Sequence, residues 1–473
     1  MTDTLMVGVS GVRGIVGKDL TDDVVARWAA AFGRWAKTRT PRVVVGRDAR
    51  ESGPAFERAV VDGLGSVGCE VVTLGIVPTP TVQLAVEHHR AGGGIAITAS
   101  HNPIEWNALK FIGPDGIFLD GADGKRVAEL VAQDGGRGTI AEGRVVSDGG
   151  AVERHLEAVM KLPAVDVEGI RKRGFTVALD AVRGAGGPVM RALLERFGCE
   201  VAGINLETDG RFPRPPEPVP ENLGGLASLV KRSGAALGIA VDPDVDRLAI
   251  VDETGAPIGE DYTLAFAVHA VLGAKLSDSR TVGPTGAHQS DRPTVRLVVC
   301  NLSTSLVVED AAREYGAEVI RTPVGEVHVA RAILRLGAAI GGEGNGGVMY
   351  PALHAGRDAP VAAALLLTLL ARQGKRVSEL VAAAPRYTIV KAKAERGTRN
   401  AERGMEDVYA ALRRLFPDAS VDTQDGLRLA WRDRWLHVRP SNTEPIIRLI
   451  AEAPSGTGAQ ELVDEGRRAC AGS

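Results

Sequence analysis

The chain has 473 residues, too many for one hydrophobic core, and its 44% hydrophobic and 24% charged residues are typical of a globular protein. A net charge of −3 does not favour a polyanionic partner, so we expect neither nucleic acid nor a membrane as the main partner. The sequence contains four widely separated cysteines, Cys69, Cys199, Cys300 and Cys470. Because no two of them form a CxxC pair, a zinc site and a disulfide framework are both disfavoured, and we expect a cytoplasmic protein.

Three segments repeat one plan: an apolar strand, a polar turn, a helix, and then Gly, a small residue, Glu and Val opening a second strand. They begin at Val43, Val177 and Val298 and reach their glycines at Gly68, Gly198 and Gly316. Self-similarity over more than a hundred residues predicts duplicated α/β domains rather than a solenoid of short repeats. Each glycine is expected to end its helix in the left-handed backbone region.

Changes in composition place the domain boundaries. The predicted domains are 1–150, 151–255, 256–373 and 374–473. From residue 387 onward the chain alternates apolar and polar residues, with a helix expected at 401–415 and strands at 427–430, 435–438 and 446–451. This last region predicts a smaller α+β domain with antiparallel pairing. Residues 277–293 read as a polar surface insertion without chemistry.

Residues 242–247, DPDVDR, place three carboxylates and a guanidinium in six positions at the end of an apolar run. So much negative charge is unfavourable unless a cation shares it, which predicts a divalent-metal site. One Mg²⁺ requires oxygens at about 2.1 Å, so this segment must curl into a loop. A turn with solvated charges is the alternative, but an apolar run resumes immediately afterwards and argues against it.

Residues 98–103, TASHNP, also follow an apolar run. A serine at the end of a buried strand, with His101 beside it, makes Ser100 a candidate nucleophile or phosphate carrier. A simple turn stopped by Pro103 is the alternative. A Ser-His-Asp hydrolase fits less well because GxSxG is missing. Lys110 could transfer a proton if burial or nearby positive charge lowers its pKa, although a solvated lysine remains the alternative.

Two further segments carry polar groups between glycines or prolines. Residues 439–445, RPSNTEP, offer the guanidinium, hydroxyl and amide donors that hold a phosphate. Residues 341–347, GGEGNGG, match neither a dinucleotide fingerprint nor a Walker loop. Glu343 and Asn345 in that segment suit hydrogen bonding to sugar hydroxyls. A turn without a ligand is the alternative at both places.

Taken in order, the motifs at 98–103, 242–247, 343–347 and 439–445 resemble those of the α-D-phosphohexomutases, and residues 8–14, GVSGVRG, resemble that family's opening motif. The resemblance covers essentially the whole chain. It implies three similar α/β/α domains with mixed sheets and a C-terminal α+β domain with an antiparallel, TATA-binding-protein-like sheet. All four would surround a central cleft.

The resemblance also implies roles for individual residues, with Ser100 as the serine that carries a phosphoryl group. The implied catalytic residues are Arg13, Ser100, His101, Lys110 and Arg247. The implied ligands of Mg²⁺ are Ser100, Asp242, Asp244 and Asp246. The implied substrate-binding residues are Gly325, Glu343, Asn345, Arg439, Ser441, Asn442 and Thr443.

The implied reaction interconverts hexose 6-phosphate and hexose 1-phosphate through a phosphoserine enzyme and a 1,6-bisphosphate intermediate, which would also act as activator. The small-molecule partner is thus a hexose phosphate, and the enzyme is expected to be a monomer or homodimer. The motifs at 341–347 and 439–445 look most like those of phosphoglucosamine mutases. Phosphoglucomutase or phosphomannomutase is the alternative, since Asn345, Gly347 and a lysine missing from 300–303 leave the sugar open.

Two rival interpretations remain at this level. The apolar strand before DPDV fits the hhhhDxDxV pattern of haloacid dehalogenase phosphatases, in which Asp242 itself would be phosphorylated. That interpretation leaves Ser100 and Arg439 unexplained. A sugar-phosphate binder without turnover is disfavoured because a binder needs no nucleophile.

Overall fold

The computed structural model describes residues 5–133, 144–278, 295–395, 404–441 and 446–471. This part of the chain forms four sheets, one in each of four domains. The first three sheets mix parallel and antiparallel pairs and carry helices, and the fourth is antiparallel throughout. The predicted fold class is therefore confirmed.

Domain I contains a seven-stranded sheet of order β1-β2-β6-β5-β3-β4-β7. Its strands are β1 (Met6–Gly8), β2 (Gly11–Ile15), β3 (Arg42–Arg47), β4 (Glu70–Ile76), β5 (Gly93–Ile97), β6 (Trp106–Ile112) and β7 (Val145–Ser147). Its helices are α1 (Asp22–Ala36), α2 (Gly53–Ser66), α3 (Thr79–His88) and α4 (Gly121–Ala132). Strands β5 and β6 are antiparallel, so the loop at 98–105 joins two buried neighbouring strands.

Domain II contains a four-stranded sheet of order β11-β10-β8-β9. Its elements are α5 (Ala151–Met160), α6 (Val167–Arg173), β8 (Thr176–Asp180), α7 (Gly186–Arg196), β9 (Glu200–Ile204), α8 (Gly224–Ser233), β10 (Leu237–Val241) and β11 (Leu248–Val251). Strands β10 and β11 form an antiparallel hairpin in which Val241 faces Leu248. Residues 242–247 are therefore the hairpin loop, curled as the sequence predicts.

Domain III contains a four-stranded sheet of order β13-β12-β14-β15. Its elements are α9 (Asp261–Asp278), β12 (Leu297–Asn301), α10 (Val307–Arg313), β13 (Glu318–Thr322), α11 (Glu326–Leu336), β14 (Ile340–Glu343), β15 (Gly347–Met349) and α12 (Ala359–Gln373). Helix α13 (Val377–Ala383) lies in the stretch predicted to begin domain IV, but its Val377 and Leu380 pack in the same hydrophobic cluster as α12. Strands β14 and β15 are antiparallel, with Glu343 opposite Gly347. The loop between them carries the sugar-binding residues implied by the sequence.

The predicted repeat corresponds to three β-α-β units, β3-α2-β4, β8-α7-β9 and β12-α10-β13. In each unit the two strands are parallel. The glycines that follow the three helices, Gly68, Gly198 and Gly316, adopt φ values of 77°, 73° and 64°. An L-residue with a Cβ is strained in this region, which explains glycine at all three positions.

Domain IV contains a five-stranded sheet of order β16-β20-β19-β18-β17. Its elements are β16 (Thr388–Glu395), α14 (Met405–Leu415), β17 (Ser420–Asp422), β18 (Leu427–Ala430), β19 (Trp435–Pro440), β20 (Ile446–Ala453) and α15 (Gly456–Ala471). Strands β19 and β20 extend two residues beyond the predicted ends at 438 and 451. Residues 439–440 pair with β20, and residues 452–453 pair with β16. The predicted helix at 401–415 is described from residue 404, and 401–403 lie outside the described residues.

Helix α12 is buried from Ala359 to Leu370, and this accounts for its unbroken apolar sequence. It contacts α5, α6 and α9, so one hydrophobic cluster runs through domains II and III. Burial between protein elements, rather than contact with lipid, explains the apolar run. Among the described residues no helix has the length and apolarity needed to cross a membrane. All four cysteines are buried and free.

Candidate active site

A buried arginine holds the loop that carries Ser100. Ser100 lies beyond β5 with φ 48°, a strained conformation for a residue other than glycine. The guanidinium of Arg50 donates to the carbonyl oxygens of Ser100, Asn102, Pro103 and Trp106 at 2.7, 2.7, 2.7 and 2.8 Å. Arg50 Nε also donates to Asp48 Oδ2 at 3.2 Å, and Thr98 Oγ1 donates to the same oxygen at 2.7 Å. These contacts fix the strained backbone at Ser100.

Ser100 contacts Asp242, the first aspartate of the loop at 242–247. Its Oγ donates to Asp242 Oδ2 at 2.7 Å, and both residues are buried. Asp242 Oδ1 accepts the backbone N–H groups of Asp246 and Arg247, each at 3.1 Å, which curls the loop around this carboxylate. Val245 within the loop has φ 61°, an outlier for a β-branched residue. Burial, together with the neighbouring carboxylates, raises the pKa of Asp242 well above its usual value.

Each of the other two aspartates is held through one oxygen. Asp244 Oδ2 accepts from Lys110 Nζ at 2.6 Å and from Thr79 Oγ1 at 2.7 Å. Asp246 Oδ2 accepts from Arg357 Nη2 at 2.6 Å. Oδ1 of Asp244 and Oδ1 of Asp246 are buried without a hydrogen-bond partner in the described part of the chain.

These carboxylates fit a divalent metal. Asp242, Asp244 and Asp246 each offer an oxygen within 4.8 Å of the others, and all three residues are buried. A buried, unpaired carboxylate oxygen costs free energy, which a bound cation would offset. An all-oxygen donor set is the one that hard cations such as Mg²⁺ and Ca²⁺ prefer. The trio is thus suited to hold a metal beside the hydroxyl of Ser100.

Lys110 contacts two of these aspartates. Its Nζ lies 2.6 Å from Asp244 Oδ2 and 3.7 Å from Asp246 Oδ2. Burial acts to lower the pKa of Lys110, but the two carboxylates outweigh it and the net pKa is raised. These carboxylates favour the charged form of Lys110, and its role in proton transfer stays a prediction.

His101 and Arg247 share an acidic neighbour that the sequence analysis missed, Glu217. Arg247 Nη1 donates to Glu217 Oε1 at 3.4 Å, and His101 Nε2 lies 4.0 Å from the same oxygen. Arg247, followed by burial, lowers the pKa of His101 to about 2, so its ring is neutral. Arg13 donates to Asn102 Oδ1 at 2.8 Å and so contacts the serine loop from β2.

Glu343 organises the loop between β14 and β15. Its Oε1 accepts from Asn301 Nδ2 at 2.9 Å and from the Gly325 N–H at 3.2 Å. Its Oε2 accepts from Arg357 Nη1 at 3.1 Å and from Asn345 Nδ2 at 3.4 Å. Gly325 has φ 130°, a conformation that residues with a Cβ rarely adopt. Burial acts to raise the pKa of Glu343, but Arg357 and the hydrogen bonds outweigh it, so the carboxylate is ionised.

Arg357 connects the loop at 242–247 to the loop between β14 and β15, and the sequence analysis missed it. The side chain donates to Asp246 at 2.6 Å and to Glu343 at 3.1 Å, and its Nε lies 3.0 Å from Glu326 Oε2. The residue is buried. The one available signal was an arginine directly before Asp358, the N-cap of an apolar helix, where a buried charge requires buried partners.

Arg439 lies near the end of β19, and Ser441 directly follows that strand. Arg439 Nη1 is 3.7 Å from Asp425 Oδ2, which also accepts the backbone N–H of Val324 at 3.1 Å. Arg439 is thereby linked to the turn that contains Gly325. Ser441 Oγ accepts from Arg448 Nε at 3.4 Å. Asn442 and Thr443, which the sequence also assigned to phosphate, lie outside the described residues.

Models of four protein domains match the chain in order. Their descriptions are phosphoglucomutase/phosphomannomutase alpha/beta/alpha domain I at residues 4–136, domain II at 153–255, domain III at 284–387 and the C-terminal domain at 389–469. These matches cover most of the chain.

Individual proteins are similar over the same length. A phosphoglucomutase/phosphomannomutase of Thermococcus kodakarensis is 38% identical, with 98% of this chain and 97% of the relative covered. A Methanopyrus kandleri protein named "Probable phosphoglucosamine mutase" is also 38% identical, with 97% and 96% covered. A solved phosphoglucomutase/phosphomannomutase family protein from Burkholderia thailandensis superposes with a TM-score of 0.81 at 28% identity, with 98% and 96% covered. The chain therefore belongs to the phosphoglucomutase/phosphomannomutase family and is a phosphohexomutase, an isomerase that transfers phosphate within its substrate.

Proposed function

We propose that this enzyme interconverts hexose 6-phosphate and hexose 1-phosphate, with Ser100 as the phosphoryl carrier. The contact of 2.7 Å between Ser100 Oγ and Asp242 Oδ2 carries the proposal, since it places the hydroxyl beside a buried trio of carboxylates. Two oxygens of that trio have no hydrogen-bond partner among the described residues. Asp242, Asp244 and Asp246 would hold Mg²⁺ there, with an oxygen of Ser100 or its phosphate as a further ligand.

The reaction proceeds in two transfers. In the first, a P–O bond forms from the phosphoryl group of phosphoSer100 to the free hydroxyl oxygen of the hexose phosphate. The P–Oγ bond breaks, and the proton of the sugar hydroxyl ends on Ser100 Oγ. The resulting hexose 1,6-bisphosphate turns end for end, and the reverse transfer returns its other phosphoryl group to Ser100.

Positioning and charge neutralisation supply most of the acceleration in such transfers. When bound, Mg²⁺ would neutralise charge on the transferring phosphoryl group. Lys110 and Arg247 add fixed positive charge: Lys110 contacts Asp244, and Arg247 Nε lies 3.8 Å from Asp246 Oδ1. Neutral His101 lies next to the reacting serine and is suited to hydrogen bond the sugar hydroxyl.

The remaining predicted residues bind the part of the substrate that does not react. Glu343 and Asn345 are proposed to exchange hydrogen bonds with sugar hydroxyls. Arg439 and Ser441, together with Asn442 and Thr443, are proposed to hold the second phosphate. Because an enzyme without phosphate on Ser100 cannot begin the cycle, a hexose 1,6-bisphosphate serves as activator by phosphorylating that serine.

We favour glucosamine phosphate as the substrate, because the motifs at 341–347 and 439–445 look most like those of phosphoglucosamine mutases. The names of relatives divide on this point, since a phosphoglucomutase/phosphomannomutase and a protein named for phosphoglucosamine are equally similar at 38%. Steady-state kinetics with glucosamine, glucose and mannose 6-phosphates, each primed with its own 1,6-bisphosphate and Mg²⁺, test the choice. The highest kcat/KM is expected for glucosamine 6-phosphate. A higher value for glucose or mannose would assign the enzyme to that sugar.

Phosphopeptide mapping after incubation with a labelled hexose bisphosphate tests the carrier. Acid-stable label on Ser100 is expected. Alkali-labile label on Asp242 would instead support the dehalogenase-type phosphatase. Asp242 already accepts hydrogen bonds from the Ser100 hydroxyl and from two backbone N–H groups. This arrangement suits a carboxylate that binds a metal ion rather than one that is phosphorylated.

A further inference from the structure

A buried chain of four polar side chains joins domains I, II and III, and the proposed reaction does not use it directly. The Thr81 hydroxyl lies 2.8 Å from His155 Nδ1, and His155 Nε2 lies 2.8 Å from Asp358 Oδ2. His354 Nε2 approaches the same Asp358 oxygen at 2.9 Å. All four residues are buried, in α3, in α5 and in the turn before α12.

The hydrogen-bond partners assign one arrangement of protons. If each ring donates from Nε2 to Asp358, His155 Nδ1 accepts from the Thr81 hydroxyl, and His354 Nδ1 accepts from the Gly356 N–H at 3.2 Å. Every polar group in the chain then has a partner. A fully satisfied buried network of this kind restricts the positions of its members.

Asp358 is also fixed from two other directions. Its Oδ1 accepts the Val361 N–H at 2.9 Å as the N-cap of α12, and its own N–H donates to Val348 O at 2.9 Å. The residue before it is Arg357, which reaches Asp246 and Glu343. The backbone that carries the arginine is therefore anchored by the buried network.

Helix α3, which carries Thr81, contacts the loop at 242–247 directly. Thr79 Oγ1 donates to Asp244 Oδ2 at 2.7 Å, and the Thr79 N–H donates to Asp244 O at 2.9 Å. Thr81, two residues further, contacts His155. Helix α3 and the turn before α12 thus support the aspartate trio through Asp244 and Asp246 respectively, and His155 joins these two supports.

We propose that His155 and Asp358 are positioning residues for the metal site, which hold Arg357 so that it bridges Asp246 and Glu343. The proposal rests on the proposed function, because it assumes that the trio binds Mg²⁺. Groups behind metal ligands set the orientation of those ligands, and their loss commonly lowers metal affinity or activity by 10- to 100-fold. The network acts on the metal ligands through Arg357 rather than by direct contact, so we expect a loss of Mg²⁺ affinity near 10-fold.

His155→Gln is the principal test, with Thr81→Val as a near-isosteric variant that removes only the hydroxyl. Titration calorimetry with Mg²⁺ alone is expected to show a dissociation constant raised by about 10-fold in His155→Gln. Thr81→Val should show a smaller rise in the same direction. At a Mg²⁺ concentration below both dissociation constants, kcat should fall by about the same factor as Mg²⁺ affinity, while KM for the hexose phosphate stays within about twofold.

His89→Gln is the matched control, since His89 Nε2 also lies 2.8 Å from a carboxylate, that of Asp148, but outside the network. It should leave Mg²⁺ affinity and kcat unchanged. Unchanged Mg²⁺ affinity in both His155→Gln and Thr81→Val would overturn the inference, even if the melting temperature fell, because the network would then only join domains. If the unaltered enzyme itself bound no Mg²⁺ or showed no mutase turnover, the proposed function would have failed instead.

Discussion

Arg357 Nη2 donates to Asp246 Oδ2 at 2.6 Å, although 111 residues separate the two along the chain. The same guanidinium donates from Nη1 to Glu343 at 3.1 Å. One buried cation therefore links the loop suited to the metal with the loop assigned to the sugar. A shift of either loop would therefore alter a hydrogen bond of Arg357, and through Arg357 the position of the other loop.

Replacement of Arg357 by lysine tests that bridge. Lysine keeps the charge but cannot present the planar fork that reaches Asp246 and Glu343 at once. We expect kcat and Mg²⁺ affinity each to fall on the order of tenfold, measured by turnover and calorimetry. Arg331→Lys, on the exposed face of α11, is the control and should have no effect on either quantity. Full activity of Arg357→Lys would show that charge alone is sufficient.

Replacement of Ser100 by alanine should abolish both turnover and phosphoryl labelling, because no other oxygen occupies its place beside Asp242. Affinity for the hexose phosphate should stay within about a few fold, since the proposed sugar and phosphate contacts are untouched. Labelling, turnover and equilibrium binding are the measurements. Ser66→Ala, which removes a hydroxyl that donates to the Gly63 carbonyl of its own helix, should remain active. Residual isomerisation by Ser100→Ala would contradict the carrier role.

Replacement of Arg50 by lysine should destabilise the protein. Lysine has three donors, whereas Arg50 donates to four carbonyl oxygens and to Asp48, so buried acceptors would lose their partners. Each buried group left unpaired costs about 1 to 3 kcal/mol. We expect a lower melting temperature and a lower kcat. Arg42→Lys alters a half-exposed pair with Glu70 and should change either quantity little.

Asp261 predicts a pH dependence of stability. Burial, together with Glu452 and Glu260, raises the pKa of this carboxyl from 3.8 to about 7. Between these values the folded state holds a proton that the unfolded chain has lost, so the free energy of unfolding falls as pH rises from about 4 to 7. Asp261→Asn removes this loss and keeps an acceptor for the Ser305 N–H.

The stability difference between Asp261→Asn and the unaltered protein should be near zero at pH 4 and increase to roughly 4 kcal/mol above pH 7, at 1.36 kcal/mol per pKa unit. Melting temperatures of both proteins across this pH range are the measurement. A difference that stays constant with pH would mean that Asp261 is ionised throughout.

Replacement of Arg439 by alanine should mainly raise KM. The guanidinium lies near the end of β19, 3.7 Å from Asp425 Oδ2, and is proposed to hold the phosphate that does not react. Hydrogen bonds to charged groups contribute about 1.5 to 3 kcal/mol, so KM should rise by about 10- to 100-fold. Arg434→Ala, on an exposed turn of the same sheet, should leave KM unchanged. A fall in kcat with unchanged KM would place Arg439 in the transfer step instead.

The sequence by itself determined the architecture and the composition of the candidate loops. Alternating and repeated apolar patterns are local, so the three β-α-β units, their left-handed glycines and the antiparallel fourth sheet could be predicted. The loops at 98–103, 242–247 and 341–347 could be identified as candidate site segments, because short runs of unusual polar residues between apolar strands are visible in the sequence. The functions assigned to their residues stay predictions that the experiments above can test.

Only the tertiary structure decided which residues support those loops. None of the predicted motifs contains Arg50, Glu217, Arg357 or the network from Thr81 to His354. Most of their contacts join residues far apart in the sequence, although Arg50 also bonds Asp48 and His354 also bonds Asp358. The direction of the pKa shift of Lys110 was decided in the same way. The contacts of a buried charge depend on how domains pack against one another, and that packing has no local signature in the sequence.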